Sequence, residues 1–239
     1  GVSIKEMIDA GVHFGHRSKY WNPKMEPYIY TTHKKLHILN LEKSVERYNI
    51  AAKFIQNIVT NNGKIMFIGT KRAASEIVKK YSDLTAMPYV NNRWLGGLLT
   101  NFNTVKQSIS KLEDLRNRYK NQSIYNLSKK QAIDLKRNIE RLEKNLLGVQ
   151  YLTKLPDAIF VIDTRYERIA IQEANKLNIP VIALVDSNNS FDGVDYMIPA
   201  NDDAMSSIDL FMNSISKIIL ESKPKKAVSN PNSDKGEKK

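Results

Sequence analysis

The sequence predicts an α/β fold, a Rossmann-like doubly wound parallel sheet with an inserted antiparallel helical (coiled-coil) hairpin. Short apolar runs alternate with segments of helical periodicity, and each run is followed by a turn. One long interval shows helical periodicity but contains no apolar run. Continuous rather than alternating apolar character is typical of parallel strands buried on both faces. This order of elements favours a sheet that is covered by helices on both sides.

Five apolar runs are the predicted strands, the last of them weaker than the others. They read KIMFIG at 64–69, MPYV at 87–90, AIFVID at 158–163, VIALVD at 181–186 and YMIP at 196–199. The main helices of the sheet domain are predicted from the spacing of apolar residues and from flanking Gly, Asn and Pro. They cover residues 42–60, 71–81, 166–177 and 203–221. Asp202 and Asp203 are candidate caps of the last helix.

The interval 104–147 breaks this order because it carries two helical patterns and no strand. Its apolar residues recur at four-three heptad spacing, which is typical of an antiparallel helical hairpin. The other positions are rich in Lys and Arg with few acidic partners, so we expect a basic arm. The predicted domains are an α/β body of residues 1–103 and 148–222, the hairpin 104–147 and a basic tail 223–239. The polar composition of the tail predicts disorder.

Composition restricts the classes of protein that this chain can belong to. Its 239 residues, 41% of them hydrophobic, are enough for one sizeable core. No apolar run reaches the roughly 18 to 20 residues of a membrane span, and the first residues lack the order of a secretory signal. We therefore expect a cytoplasmic protein without a membrane partner. The absence of cysteine excludes disulfides, thiolate metal sites and cysteine nucleophiles.

The net charge of +12 is distributed unevenly along the chain. Residues 1–62 carry +4, residues 63–154 carry +11, residues 155–222 carry −7 and the tail carries +4. A basic field of this size attracts polyanions, so nucleic acid is the expected partner. The acidic third is expected to face away from it and to offer a protein-docking surface. The residues assigned to that surface are Asp163, Glu167, Glu173 and Asp192.

Cations, planar rings and short polar groups together predict RNA binding. In the loop NRWLGGLLTN at 92–101, Arg93 can donate to a phosphate or base and Trp94 can offer a stacking face. The alternative is that Trp94 fills the core. In HRSKYWNPKMEPYIYTTHKK at 16–35, cations and aromatic residues interleave. The residues predicted to bind RNA are Arg17, Lys19, Tyr20, Trp21, Asn22, Lys24, Lys34, Lys35, Lys71, Arg72, Arg93, Trp94, Asn101, Lys106, Lys136, Arg137 and Arg141.

The segment GTKRAAS at 69–75 is the strongest indication of an enzyme, because a helix that begins after a strand can bind phosphate. It lacks the ending of a Walker A loop and is not a G-x-G-x-x-G motif, so no nucleotide cofactor is expected. Lys71 and Arg72 are assigned to an RNA phosphate instead. The alternative is that Thr70 only caps the helix and that both cations are solvated.

Metal and nucleophile chemistry find little support in the sequence. His13, His16, His33 and His37 have no Asp, Glu or Cys beside them at ligand spacing, so no metal site is expected. No serine lies in a nucleophile elbow. The alternative function is a Rossmann-like enzyme that binds a nucleotide or sugar phosphate beyond the carboxyl ends of the strands. Its site would lie near Gly69, Asn91, Asp163 and Asp186.

Seven stretches occur in an order that resembles a known family. They read GVHFGHRSKYWNPKM, HILNLEKS, FIGTKRAAS, NRWLGGLLTNF, PDAIFVID, IAIQEANKLNIPVIALVDSN and DGVDYMIPANDDA. Together they resemble the bacterial-type family of the second protein of the small ribosomal subunit, ribosomal protein S-two. The resemblance implies a Rossmann-like domain with a protruding helical hairpin and no catalysis, cofactor or small-molecule substrate. It also implies contacts with small-subunit ribosomal RNA and neighbouring ribosomal proteins, including ribosomal protein S-one, in a cytoplasmic or organellar ribosome.

Overall fold

The computed structural model describes residues 1–121 and 128–223, and within them five parallel strands form the central sheet. The strands are β4 (Ile65–Ile68), β5 (Tyr89–Val90), β6 (Ala158–Ile162), β7 (Val181–Val185) and β8 (Tyr196–Pro199). Their order is β5-β4-β6-β7-β8, and each neighbouring pair is parallel. The strand order reverses between β4 and β6, as in doubly wound folds. The predicted α/β class and parallel sheet are confirmed.

Helices cover both faces of this sheet because its side chains alternate between two apolar layers. In β4, Ile65 and Phe67 pack into one layer, whereas Met66 and Ile68 pack into the other. The first face is covered by α1 (Ile4–Asp9), α2 (Leu41–Thr60), α3 (Arg72–Thr85) and α7 (Met205–Ser222). The second face is covered by α4 (Phe102–Lys120), α5 (Lys129–Leu146) and α6 (Arg168–Lys176). Among these described helices, none combines the length and apolar character needed to cross a bilayer.

A second sheet, of three antiparallel strands, lies in the N-terminal segment and was not predicted. Its strands are β1 (Phe14–Arg17), β2 (Ile29–His33) and β3 (Leu36–Leu39), in the order β1-β3-β2. The strands are short, and β2 is mostly exposed, so no continuous apolar run marks it in the sequence. Three 3-10 helices complete the described elements, at Ser18–Tyr20, Pro23–Tyr28 and Leu147–Val149.

Local backbone conformation fixes this small sheet and its attachment to the body. Lys34 and Lys35 join β2 to β3, and both have positive φ angles, 46° and 66°. Positive φ at both central residues is the geometry of a type I′ hairpin turn, which matches the twist of antiparallel strands. Met25 and Leu39 are buried in the apolar layer of the second face, whereas Val12, just before β1, packs in the layer of the first face.

Two long helices, α4 and α5, occupy the interval for which a hairpin is predicted. Their buried apolar residues join the layer of the second face, and these are Val105, Ile109, Leu112, Leu115, Ile139 and Leu146. Arg116 links the two helices, since its Nε donates to Glu143 Oε1 at 2.8 Å. Residues 122–127 of the predicted connection and residues 224–239 of the predicted tail lie outside the described residues. The coiled-coil character and the domain boundaries stay predictions.

The start of α7 differs from the predicted caps. Neither Asp202 nor Asp203 caps α7, because its N-cap is Ala204 and no side chain makes a capping bond there. Asn201 Oδ1 accepts hydrogen bonds from the N–H groups of Asp203 (2.9 Å) and Ala204 (3.0 Å) just before the helix. The Asp202 carboxylate is fully buried and accepts hydrogen bonds from Lys71 and Asn189 instead. The acidic pair therefore takes part in a long-range cluster rather than in local capping.

Candidate RNA-binding surface

One carboxylate, that of Glu173 on α6, holds the NRWLGGLLTN loop. Its Oε1 accepts hydrogen bonds from the indole N–H of Trp94 (3.0 Å) and the backbone N–H of Gly97 (2.7 Å). Its Oε2 accepts from the N–H groups of Leu99 (3.0 Å) and Thr100 (3.2 Å) and from the Thr100 hydroxyl (3.1 Å). Five donors of the loop therefore converge on a single side chain from a distant helix.

Glu173 acts from inside the protein, because only 6% of its surface is exposed. Burial disfavours its ionised form, but the hydrogen bonds from Trp94 and from the loop backbone outweigh burial and lower the pKa of Glu173. The carboxylate thus stabilises the loop as an internal anion. Its burial disfavours the prediction that Glu173 belongs to a protein-docking surface.

Trp94 belongs to the core of the second face. It is 9% exposed and packs in the same apolar layer as Leu98 and Leu99. This burial favours the core alternative over the predicted stacking face for Trp94. A tryptophan whose N–H finds a buried acceptor satisfies both its apolar ring and its polar group.

Arg93 and Asn101 remain exposed near the two ends of the same loop. Gly97 has a φ of +86°, a conformation that residues with a Cβ rarely adopt, so the chain can turn sharply there. The Asn92 side chain donates to Asn145 Oδ1 of α5 at 2.8 Å. The loop therefore displays Arg93 from a well-anchored backbone close to the end of α5.

The N-terminal segment exposes most of the residues predicted to bind RNA. The exposed ones are Arg17, Lys19, Tyr20, Lys24, Lys34 and Lys35. Trp21 and Asn22 are partly buried. The Trp21 ring lies 5.4 Å from the ring of His37, and Asn22 Oδ1 accepts from the N–H of Lys24. Lys24 also pairs with Asp192, its Nζ lying 2.5 Å from Oδ1, but an exposed pair of this kind contributes only about 0–1 kcal/mol.

The helices α4 and α5 expose the remaining predicted cations. These are Lys106 on α4 and Lys136, Arg137 and Arg141 on α5. The Lys106 ammonium lies 4.9 Å from the centre of the Phe102 ring, and Arg141 donates to Asn138 at 3.0 Å. Both contacts are local and leave the cationic groups accessible to solvent.

Three separate stretches of basic sequence each bury apolar residues in the layer of the second face. Met25 and Leu39 of the N-terminal segment, Trp94 of the loop, and Val105 and Ile139 of α4 and α5 all pack in the apolar layer of the second face. We call the exposed predicted residues of these stretches the basic face. Its members are Arg17, Lys19, Tyr20, Lys24, Lys34, Lys35, Arg93, Asn101, Lys106, Lys136, Arg137 and Arg141.

Lys71 lies elsewhere, in a crevice at the carboxyl ends of the parallel strands. Its ammonium pairs with Asp163 (3.1 Å), Asp202 (2.9 Å) and Asp203. Burial acts against the charged ammonium, but the carboxylates, Asp202 foremost, raise the pKa of Lys71. Lys71 is therefore paired within a partly buried ion cluster, which disfavours its predicted contact with an RNA phosphate. Arg72 is exposed, but it lies on α3, which covers the first face, so the structure does not bring it to the basic face.

Two further acidic residues assigned to protein docking are also internal. Asp163 is 8% exposed and Glu167 is 2% exposed. Glu167 Oε1 accepts from both the N–H (2.7 Å) and the hydroxyl (2.6 Å) of Thr70, which therefore does not cap α3. Asp163 Oδ1 accepts from the N–H groups of Arg165 and Tyr166. Of the four assigned acids, Asp192 alone is exposed, and burial disfavours the docking prediction for the other three.

Replacing Lys71 by methionine is expected to lower the free energy of unfolding by about 3–5 kcal/mol, because it removes the cation that pairs with two buried carboxylates. Urea denaturation followed by circular dichroism measures this loss. The matched control is Arg72→Ala, which alters the next residue, an exposed one, and is expected to change stability by less than about 0.5 kcal/mol. Equal stability of the two variants would contradict the assigned role of Lys71.

Of the crevice residues, sequence reasoning missed Asn189, whereas it placed Asp186 near the site of the alternative enzyme and Asp202 among the candidate caps of α7. Asp186 and Asn189 follow β7, and Asp202 follows β8. Burial and the nearby Asp163 and Asp186 carboxylates raise the pKa of Asp202. The signal was present in the sequence, since Asp163 and Asp186 each follow a buried parallel strand and such ends meet at one edge of a sheet.

Comparison with known proteins identifies the family. Residues 7–222 match the family described as Ribosomal protein S2. The chain is 48% identical over 233 residues to a protein of Pseudoalteromonas translucida named "Small ribosomal subunit protein uS2", with 98% of this chain and 96% of the relative covered. Proteins of the same name from Idiomarina loihiensis and Aeromonas salmonicida are each 48% identical over 222 residues, covering 93% of this chain and 92% of the relative. The match to the family extends over nearly all of the described residues, and the chain therefore belongs to the ribosomal protein S2 family.

Proposed function

We propose that this chain is a structural constituent of the small ribosomal subunit, where it binds small-subunit ribosomal RNA and supports translation without catalysing a reaction. The observation that carries the proposal is the match to the ribosomal protein S2 family over residues 7–222. The basic face supports it, because its exposed cations lie on three stretches of the chain that each bury apolar residues in the layer of the second face.

The proposed mode of binding is recognition of folded RNA through the positions of its phosphates. Arg93 is displayed on an anchored loop, and Lys34 and Lys35 form a tight turn, so these cations have a defined backbone geometry. Cations at fixed positions match a preformed arrangement of phosphates, whereas base-specific readout requires side chains that reach base edges. The affinity should therefore fall steeply with salt and depend weakly on base identity.

The alternative, a Rossmann-like enzyme, is not favoured. Its site would lie at the reversal of strand order, where β4 and β6 end. That crevice contains the carboxylates of Asp163, Asp202 and Glu167, and their partners are Lys71, Asn189 and Thr70 of the same chain. An anionic crevice whose one lysine is already paired disfavours a phosphate-bearing substrate.

We further propose that the chain contacts neighbouring ribosomal proteins, among them ribosomal protein S-one, in a ribosome of the cytoplasm or of an organelle. The support for ribosomal protein S-one is the family resemblance of the sequence motifs. Of the acids first assigned to such a contact, Asp192 remains a candidate, because 69% of its side chain is exposed.

Arg93→Ala is expected to weaken binding of small-subunit ribosomal RNA by about 5- to 10-fold and to reduce the slope of log affinity against log salt by about 1, as for one lost phosphate contact. Filter binding of the full chain at several salt concentrations measures both quantities. The matched control, Lys217→Ala, removes an exposed cation from α7 on the opposite face. Equal losses of affinity from the two variants would contradict the proposal that RNA binds to the basic face rather than to the opposite face.

A further inference from the structure

A cavity of about 550 Å³ lies between α6 and the loop that follows β7. Five carboxamide side chains line it, those of Asn22, Gln172, Asn175, Asn188 and Asn189. Cavities of this size hold small organic groups, and a few convergent polar groups fix the orientation of the ligand. We propose that this cavity binds one unpaired base of RNA and that it selects a base with an exocyclic amino group, namely adenine, cytosine or guanine.

This inference rests on the proposed binding of RNA and adds a site that the phosphate contacts of the basic face do not provide. The cavity adjoins that face, because Asn22 lies in the chain between Tyr20 and Lys24, two of its members. The backbone N–H of Asn22 donates to the carbonyl oxygen of Ser187 at 2.8 Å, which holds the N-terminal segment against the loop after β7. RNA bound to the basic face therefore passes close to the cavity.

Two buried oxygens at the cavity lack a hydrogen-bond donor. The Oδ1 atoms of Asn188 and Asn189 are both buried, and neither has a hydrogen-bond partner within the described part of the chain. Asn189 is 1% exposed, and its Nδ2 donates to Asp202 (2.7 Å) and Asp163 (3.2 Å), which fixes the orientation of its amide. Because buried acceptors are normally satisfied, a ligand that fills this cavity is expected to bring donors.

The exocyclic amino groups of adenine, cytosine and guanine are donors of this kind. A protein can reach the Watson–Crick edge of a base only when the base is unpaired. Uracil has a carbonyl oxygen where cytosine has its amino group, and an oxygen placed against the acceptors of Asn188 and Asn189 would be repelled. The cavity should therefore discriminate against uracil at one nucleotide, while the phosphates provide most of the affinity.

Exposed cations and a ring lie at the cavity. Arg165 and Arg168 line it, and both are exposed. Tyr166 lies between them in the chain and is 63% exposed, so its ring is accessible for stacking on a base. Among the described residues that line the cavity, Asp192 alone is acidic, and its carboxylate pairs with Lys24. This balance of charge suits the phosphates beside a bound base, in contrast to the anionic crevice.

Close packing shapes the cavity before a ligand binds. Thr164 Oγ1 donates to the carbonyl oxygen of Ser190 at 2.5 Å, which ties the segment after β6 to the loop after β7. Gly193 has a φ of +77°, and a Cβ atom at this position would collide with Nδ2 of Asn175. Glycine therefore lets the loop lie directly against α6. A cavity that is already formed loses little conformational entropy when it binds a base.

Binding of short single-stranded RNA by the full chain tests the site. Fluorescence anisotropy is measured at low salt with labelled hexamers of adenylate, cytidylate and uridylate. We expect the adenylate and cytidylate hexamers to bind about 5-fold more tightly than the uridylate hexamer. Asn188→Leu removes one acceptor and should bring the three affinities to within about 2-fold of one another. Asn188→Asp retains acceptor oxygens, so it should keep the discrimination while its added negative charge weakens binding of all three hexamers.

The control variant is Asn213→Leu, the same change at a partly buried residue of α7, which covers the first face. It should discriminate like the wild type. Circular dichroism checks that each variant is folded, and Asn188→Asp keeps the test informative if Asn188→Leu is unstable.

Two results would overturn the base site. One is a wild type that binds the three hexamers equally or not at all, as expected of a cavity that holds a side chain of a neighbouring protein. The other is unchanged discrimination by Asn188→Leu. Salt-dependent binding of small-subunit ribosomal RNA by the same wild-type protein tests the proposed function separately. Its persistence would show that the base site alone had failed, whereas its absence would overturn the proposed function as well.

Discussion

Glu173→Ala is expected to lower the free energy of unfolding by about 3–5 kcal/mol, because it leaves several buried donors of one loop without an acceptor. The lost acceptor serves the indole of Trp94 and the N–H groups of Gly97, Leu99 and Thr100. Urea denaturation, monitored by the fluorescence of Trp94 and Trp21, measures the loss. We also expect the Trp94 signal of the folded variant to shift towards that of a solvated indole.

Two further variants distinguish the effect of the Glu173 negative charge from the effect of any substitution in this part of α6. Glu173→Gln retains one acceptor oxygen but places an NH₂ group among donors, so it should also lose about 2–4 kcal/mol. Gln172→Ala changes the preceding, exposed residue of α6 and should alter stability by less than about 0.5 kcal/mol. Wild-type stability of Glu173→Gln would show that a neutral side chain suffices and that the ionised form is not required.

The pH dependence of this difference has a definite sign. The pKa of Glu173 is lower in the folded protein than its ordinary value of 4.5. A group with a depressed folded pKa contributes stability above its unfolded pKa and loses that contribution as the pH falls through the folded pKa. The stability difference between wild type and Glu173→Ala should therefore be constant from about pH 5 upwards and shrink below about pH 4.5.

Reversing Lys136, Arg137 and Arg141 to glutamate is expected to weaken RNA binding by at least about 100-fold near 0.1 M salt. Each phosphate contact contributes roughly 0.9 to the slope of log affinity against log salt, so three lost contacts remove a slope of about 2.7. The three side chains are exposed on α5, and the described contact of Arg141 is to its neighbour Asn138, so the fold should remain intact. Salt-dependent filter binding and incorporation into small subunits measure the effect.

The control for this variant carries the same change of net charge on the other side of the sheet. Lys5, Lys53 and Lys217 are exposed on α1, α2 and α7, which cover the first face, and all three are reversed to glutamate. This control should bind RNA much more tightly than the α5 variant. If both triple variants lost the same affinity, net charge rather than the basic face would account for binding.

The strands of the central sheet were predictable because burial on both faces leaves a continuous apolar run. The run KIMFIG predicted residues 64–69, and the observed β4 is Ile65–Ile68. The N-terminal sheet was not predictable in the same way. Its longest strand, β2, exposes four of its five residues, so its hydrogen bonds to β3 leave no apolar pattern in the sequence.

The sequence predicted the positive charge of the candidate site, but it did not predict which of the site residues are exposed and which are buried. The cations of the N-terminal segment and of α5 are exposed as their composition suggested. Trp94 and Glu173 are buried and Lys71 is partly buried, and nothing local in the sequence distinguishes them from exposed neighbours. Each is fixed by a partner at least 79 residues away, Trp94 and Glu173 by each other and Lys71 by Asp163 and Asp202. Spacing along the chain does not encode such pairings.

The hydrogen bonds between Glu173 and the 92–101 loop show that an acidic residue of the segment 155–222 stabilises a basic loop. The buried carboxylate of Glu173 holds the loop from inside, and the exposed Arg93 of the same loop faces solvent. The negative and the positive group therefore lie one beneath the other rather than on opposite sides of the protein. In the proposed complex, the RNA would contact Arg93 on a loop that the Glu173 hydrogen bonds already hold in place. An ordered loop loses less conformational entropy when the complex forms, so Glu173 would favour binding without contacting the RNA itself.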